Sequence, residues 1–119
     1  MIGVPLIDKD HTAFLSGYEL SNMAEKINEL SGQNLLGLSE IAKQVQLFKR
    51  SDNYPFYEEF KVPSHTIASC DLTNFDYYHH PEDESELMNY EFMAGLVNSL
   101  MPAIEGIANS PQREIAMYE

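Results

Sequence analysis

The chain has 119 residues, 44% of them apolar, with six Phe, seven Tyr and a net charge of −12 from 19 acidic and 7 basic side chains. This length fits one domain over residues 1–119 that can bury a core without disulfide or metal support, and the aromatic content argues against disorder. The charge sign argues against direct binding to nucleic acid or anionic membranes, and no apolar run approaches the roughly 20 residues of a membrane span.

The opening segment MIGVPLIDKDH lacks the basic start and long apolar stretch of a secretory signal. Cys70 is the single cysteine, so no internal disulfide forms and a reducing, cytosolic compartment is expected, in a bacterial or virus-infected cell. A first helical pattern runs from about Asp10 to Leu30. Its apolar face is Leu20, Met23, Ala24, Ile27 and Leu30, and a possible division lies near Ser21, where Asn22 and Glu25 have capping-box spacing. Ser31-Gly32-Gln33-Asn34 is a stop signal. A second helix is expected from Ser39 to Arg50, with Leu38, Ile41, Ala42, Val45 and Phe48 as its stripe. Pro55 can open a short helix over Phe56–Phe60, which Pro63 ends, and any β structure is expected between 55 and 78.

The third helix is expected to start at Pro81, because Glu82, Asp83, Glu84 and Glu86 suit a first turn. Leu87, Tyr90, Ala94, Val97, Met101 and Ile104 then mark its core face as far as Ala108, with Pro102 kinking or ending it. Ser110-Pro111 restarts a last helical turn or two that Ile115, Ala116 and Met117 dock. These elements sum to a mainly α fold, a compact domain of four to five helices. An α+β variant has a short strand or irregular segment in the middle, at about 55–78.

Charge divides unevenly along the chain. Residues 1–70 hold nine acids against six cations, whereas residues 71–119 hold ten acids against Arg113 alone. No Lys or Arg occurs from Val62 to Gln112. Tyrosines interleave with these acids, and Tyr offers a large, fairly rigid contact area with a polar tip. The candidate partner-binding residues are therefore Tyr54, Tyr57, Glu58, Glu59, Asp71, Asp76, Tyr77, Tyr78, Glu82, Asp83, Glu84, Glu86 and Glu91. Equally, the aromatics can build a core beneath a loop, with solvated acids between them.

Signals for chemistry are weaker. His79-His80-Pro81-Glu82-Asp83-Glu84 combines imidazole and carboxylate, but adjacent residues rarely converge on one ion, and helix initiation explains the same composition. Ile7-Asp8-Lys9-Asp10-His11 resembles the opening of haemerythrin-like oxygen carriers. Those domains need further histidines at fixed helical spacings, which His65, His79 and His80 do not supply, and a surface helix start accounts for the segment. Leu38-Ser39-Glu40-Ile41-Ala42-Lys43-Gln44-Val45 resembles the first helix of a helix-turn-helix DNA reader, yet no basic recognition helix follows. Asp71 beside Cys70 disfavours a thiolate, so the thiol reads as buried and inert. No catalytic residue, metal ligand or cofactor is assigned.

The expected role is a non-enzymatic binding protein that uses carboxylates and tyrosines from Tyr54 to Glu91 to cover a basic protein surface. A nucleic-acid-binding enzyme is one candidate partner, and the chain then acts as a competitive inhibitor. In size and charge sign it is similar to phage anti-restriction and anti-CRISPR proteins, nuclease immunity proteins and antitoxins. The alternatives are a structural or assembly subunit, in which the segment from Leu87 to Ile107 packs against copies of itself, and a small metal-dependent enzyme.

Overall fold

A short, fully buried strand organises the molecule. In the computed structural model, which describes residues 1–7 and 10–119, strand β1 (Ala13–Leu15) is followed by a 3-10 turn over Tyr18–Leu20 and helix α1 (Met23–Ser31). Then come β2 (Leu36–Gly37), α2 (Glu40–Gln44), a 3-10 turn over Leu47–Arg50, α3 (Tyr54–Phe60) and β3 (Ile67–Ala68). A loop with a 3-10 turn at Ser85–Leu87 leads to the long helix α4 (Tyr90–Ala108).

The three strands form a mixed sheet in the order β2-β1-β3. Strand β1 runs parallel to β2 (Ala13 opposite Leu36) and antiparallel to β3 (Phe14 opposite Ala68). The fold is therefore α+β, which corrects the expected mainly α bundle of four to five helices. Successive side chains of a strand point to opposite faces. Ala13 and Leu15 join Ala24, Ile27, Leu35, Leu36, Leu96 and Ala103 in the main core, while Phe14 packs with Ala42 and Ala68 on the other side. Both faces of the sheet are covered, so β1 is an unbroken apolar run without polar alternation. Strands β1 and β2 both fall outside the 55–78 window expected for β structure, and the helical segment expected from Asp10 to Leu30 is a strand, a 3-10 turn and the shorter α1.

Backbone geometry ends β1. Gly17 has φ 68°, and a Cβ there would meet the Phe48 ring at 2.6 Å. Asn28 on α1 acts as a surrogate strand partner for β2: its Nδ2 donates to the Leu36 carbonyl at 2.9 Å, and its Oδ1 accepts from the Leu36 N–H at 2.8 Å. Ser39 caps α2 by accepting from the Ala42 N–H. The helix then breaks at Gln46, where φ is 56°, short of the continuous helix expected to Arg50. Asn22 forms no capping box. Its side chain instead ties the C-terminal segment, with Nδ2 donating to the Glu114 carbonyl and Oδ1 accepting from the Ala116 N–H. Residues after Ser110 form no helix; Pro111 and Gln112 bend the chain, Met117 is bridged to Ser21 and Ile115 is buried.

Helix α4 departs most from expectation. It begins at Tyr90, not Pro81, and its cap is Asn89, whose Oδ1 accepts from the Phe92 N–H at 2.9 Å. It runs through Pro102 to Ala108, and because Pro102 and Asn98 are exposed, water can satisfy the carbonyl that loses its donor. The face turned to α1 carries Leu96 and Ala103, flanked by Phe92, Leu100 and Ile107. Tyr90, Ala94, Val97, Met101 and Ile104, the expected core face, point to solvent together with Leu87, which precedes the helix. The helix is apolar nearly all round, so spacing alone could not select the buried side.

The Asp-rich helix start expected over 7–11 includes Asp8 and Lys9, which lie outside the described residues. Among the described residues no helix is long and apolar enough to cross a membrane.

Candidate functional site

The loop between β3 and α4 carries the densest run of acids, and anchors at both ends hold it. At its start, Asn74 Nδ2 donates to the carbonyls of Pro5 (2.8 Å) and Ser69 (2.7 Å), while its Oδ1 accepts from the Asp71 N–H. At its end, the Asn89 N–H donates to the Gly3 carbonyl at 2.8 Å. Between them His80 shapes a turn. Its carbonyl accepts from the Asp83 N–H, and its Nδ1 accepts from the Glu82 N–H at 3.0 Å.

Glu82 lies in the turn after His80, Asp83 and Glu84 in the exposed loop behind it and Glu86 in the 3-10 turn at Ser85–Leu87, so none of them stands in the first turn of α4, where helix initiation at Pro81 placed them. Asp76 is exposed before them and Glu91 after them, on the first turn of α4. The ion pairs formed among the described residues are Lys26–Glu29 at 3.6 Å and Lys26–Glu114 at 3.9 Å. No acid from Glu58 to Glu91 is paired with a described cation.

The other candidate residues divide by environment. Glu58 and Glu59 are exposed on α3 beside the exposed Phe56 and Phe60. Tyr54 and Tyr57 are half-buried, with ring centroids 5.8 and 5.4 Å from that of Phe48, and Lys61 Nζ lies 5.4 Å from the centre of the Tyr57 ring. These two rings serve mainly as packing. Asp71 is half-buried and accepts from the N–H and hydroxyl of Thr73, so its carboxylate closes a local turn. Tyr77 lies edge-on to Phe75, and Tyr78 stacks on His79 with centroids 4.0 Å apart. Tyr78 also lines a small cavity with Leu47 and Ser51, which places the start of the acidic loop beside the segment that precedes α3.

Among the described residues no three His, Cys, Asp or Glu side chains are grouped to hold a metal ion. Cys70 is buried, with 4% of its surface exposed. A cleft of about 380 Å³ opens between Leu6, His11, Phe14, Leu38 and Ile41, and of the candidate residues only Asp71 lines it.

One polar pair had no sequence signal, because its members are 44 residues apart. His65 Nδ1 lies 2.7 Å from the Ser16 carbonyl and must donate to it, so the neutral ring accepts from the Ser21 hydroxyl at Nε2, 2.8 Å away. The pair resembles a serine–histidine catalytic dyad. Ser21, however, is only 2% exposed and also accepts from the Met23 N–H, so the pair joins β1, α1 and the segment before β3 rather than serving a substrate. Burial lowers the His65 pKa below its ordinary value, against the opposing effects of the Ser16 carbonyl and the Glu19 charge. The folded state therefore prefers the neutral ring, and His65 contributes stability that is complete above the ordinary histidine pKa of about 6.5 and is lost as pH falls through the lower folded value. Thermal melts across pH 7 to 5 should show a falling Tm that His65→Gln flattens. An unchanged slope in that variant would assign the pH dependence to other groups.

No family of known proteins, no curated protein and no solved structure matches the chain.

Proposed function

We propose that the chain is a non-enzymatic binding protein whose acidic loop covers a basic, nucleic-acid-binding surface on another protein and so competes with nucleic acid for it. The observation that carries this reading is the set Asp76, Glu82, Asp83, Glu84, Glu86 and Glu91, exposed and unpaired with any described cation. A protein far from neutral gains solubility from scattered charge. Four carboxylates within five consecutive residues repel one another, and a cationic counterpart relieves that repulsion. Tyr77 and Tyr78 supply adjoining contact area. The single cysteine fits action in a reducing cell interior, bacterial or virus-infected.

Electrostatic association weakens as salt screens it, over a distance of about 8 Å at physiological ionic strength. Titrating a fluorescent oligo-arginine peptide against the protein at increasing salt should give an affinity that falls steeply. The same series should show the protein displacing duplex DNA from a basic DNA-binding protein at low salt. An affinity independent of salt removes the electrostatic basis of this reading.

A further inference from the structure

We infer that the C-terminal strap from Glu114 to Tyr118 is an acid-released latch, which closes over the contact between His65 and Ser21 and lifts away when that imidazole takes up a proton. The strap is held mainly by the chain between Leu20 and Asn22. The Asn22 N–H donates to the Ala116 carbonyl at 3.3 Å, and the Tyr118 N–H donates to the Leu20 carbonyl at 2.8 Å. The Asn22 side chain adds its bonds to the Glu114 carbonyl and from the Ala116 N–H. Besides these the strap contributes the buried Ile115 and the exposed ion pair of Glu114 with Lys26. None of its residues belongs to the core between the sheet, α1 and α4, so it can open while that core stays folded.

Register makes the strap a cover for the histidine. The two backbone bonds flank Ser21 and Met117, so these two residues are an antiparallel pair without hydrogen bonds of its own. In such a pair both side chains leave the ribbon on one face and approach closely. Ser21 directs its hydroxyl at His65 Nε2, 2.8 Å away, which places Met117 on the face where Ser21 meets His65. Ile115, two residues earlier, shares that face and is buried, whereas Ala116 and Tyr118 are exposed. The Phe48 ring, with its centroid 5.6 Å from that of His65, closes another side.

A proton on His65 disturbs this arrangement in two ways. An imidazolium donates from both nitrogens, so Ser21 would accept from Nε2 as well as from the Met23 N–H. The Ser21 hydroxyl proton then loses its acceptor at a site that is 2% exposed. The cation also needs water, which Met117 and Phe48 keep away. Opening the strap brings water to both groups. The closed form therefore binds the proton less tightly than the open form, and falling pH drives opening. Burial holds the ring below its ordinary pKa, in the same direction, and the charge of Glu19 opposes this. The elements around His65 also carry Glu25 and Lys26 on α1, Lys49 and Arg50 beside Phe48, and Glu114 and Glu119 on and after the strap, but Glu19 is the charge that acts on the ring. None of these residues lies in the acidic loop, so this proposal and the basic-partner reading stand or fall separately.

Hydrogen exchange of single backbone amides, read by NMR on the whole chain and corrected for the intrinsic pH dependence of exchange, tests the latch. Between pH 7.5 and 5 the protection of the Ala116 and Tyr118 amides should fall by up to about tenfold per pH unit, the limit for one linked proton. The amides of Leu100 and Ala103 in α4 should keep theirs. In His65→Gln the strap amides should show no such dependence. Glu19→Gln changes an exposed side chain and keeps the histidine; it should move the opening to lower pH, because the charge that favours the cation is gone. Strap protection that is independent of pH in the wild-type chain, or that falls only together with that of α4, overturns the proposal. So does a pH dependence that persists unchanged in His65→Gln, or an opening that Glu19→Gln moves to higher pH.

Discussion

Truncating Leu96 to alanine is expected to cost about 2–5 kcal/mol of stability, while truncating its neighbour Val97 should change stability by less than about 0.5 kcal/mol. Leu96 is 1% exposed and packs between the sheet and α1; Val97, one residue on, is 45% exposed. Removing a buried isobutyl group loses its transfer free energy and leaves a cavity that the surroundings only partly close. At Val97 nearly half of the side chain is already in water, and alanine favours the helix slightly more than valine does. Urea unfolding of the two variants checks both. Equal losses at the two positions, or a larger loss at Val97, would mean that α4 docks by its other face.

This contrast shows where sequence patterning stopped being informative. On α4 two apolar faces compete at helical spacing, one through Leu96 and Ala103 and the other through Val97 and Ile104. What separates them is the packing against α1, where Leu96 and the small Ala103 are fully buried, which a list of hydrophobic positions does not reveal. The helix start was obscured for a different reason. Pro81 followed by Glu82, Asp83 and Glu84 has the composition of a first turn, yet the bend at His80 absorbs it and Asn89 caps the helix. The strands were hidden by length and burial. Strands β2 and β3 are two residues each, and β1 is buried on both faces.

Features that depend on local chemistry were legible. Ser39 caps α2, Pro55 sits in the first turn of α3, β3 falls within the segment where a strand was expected, and α4 ends at Ala108. The candidate site was half legible. Cation depletion after Val62 is a property of the chain in one dimension, whereas the exposure of Glu82–Glu86 on a pinned turn depends on anchors as distant as Gly3 and Pro5. The tyrosines of α3 could not be told apart from contact residues without Phe48 beneath them. Likewise, nothing near His65 in sequence pointed to Ser21.

The second large effect concerns where charge lies rather than how much there is. One variant carries Glu82→Gln, Asp83→Asn, Glu84→Gln and Glu86→Gln. Its control carries Glu19→Gln, Glu25→Gln, Glu40→Gln and Asp52→Asn, likewise at exposed positions. Each removes four negative charges, so any effect of net charge alone is the same in both. Exposed ion pairs are individually weak, and several in one patch that meet a cationic counterpart together contribute more than scattered ones. The loop variant should therefore lose roughly ten- to a hundredfold in affinity for a basic probe, and the control less than about threefold.

Measured side by side with the oligo-arginine peptide at fixed salt, those two proteins are the most direct test. The account predicts a large loss confined to the variant altered between Glu82 and Glu86. Equal weakening of both would show that the peptide senses only total charge and that the turn after His80 holds no binding surface.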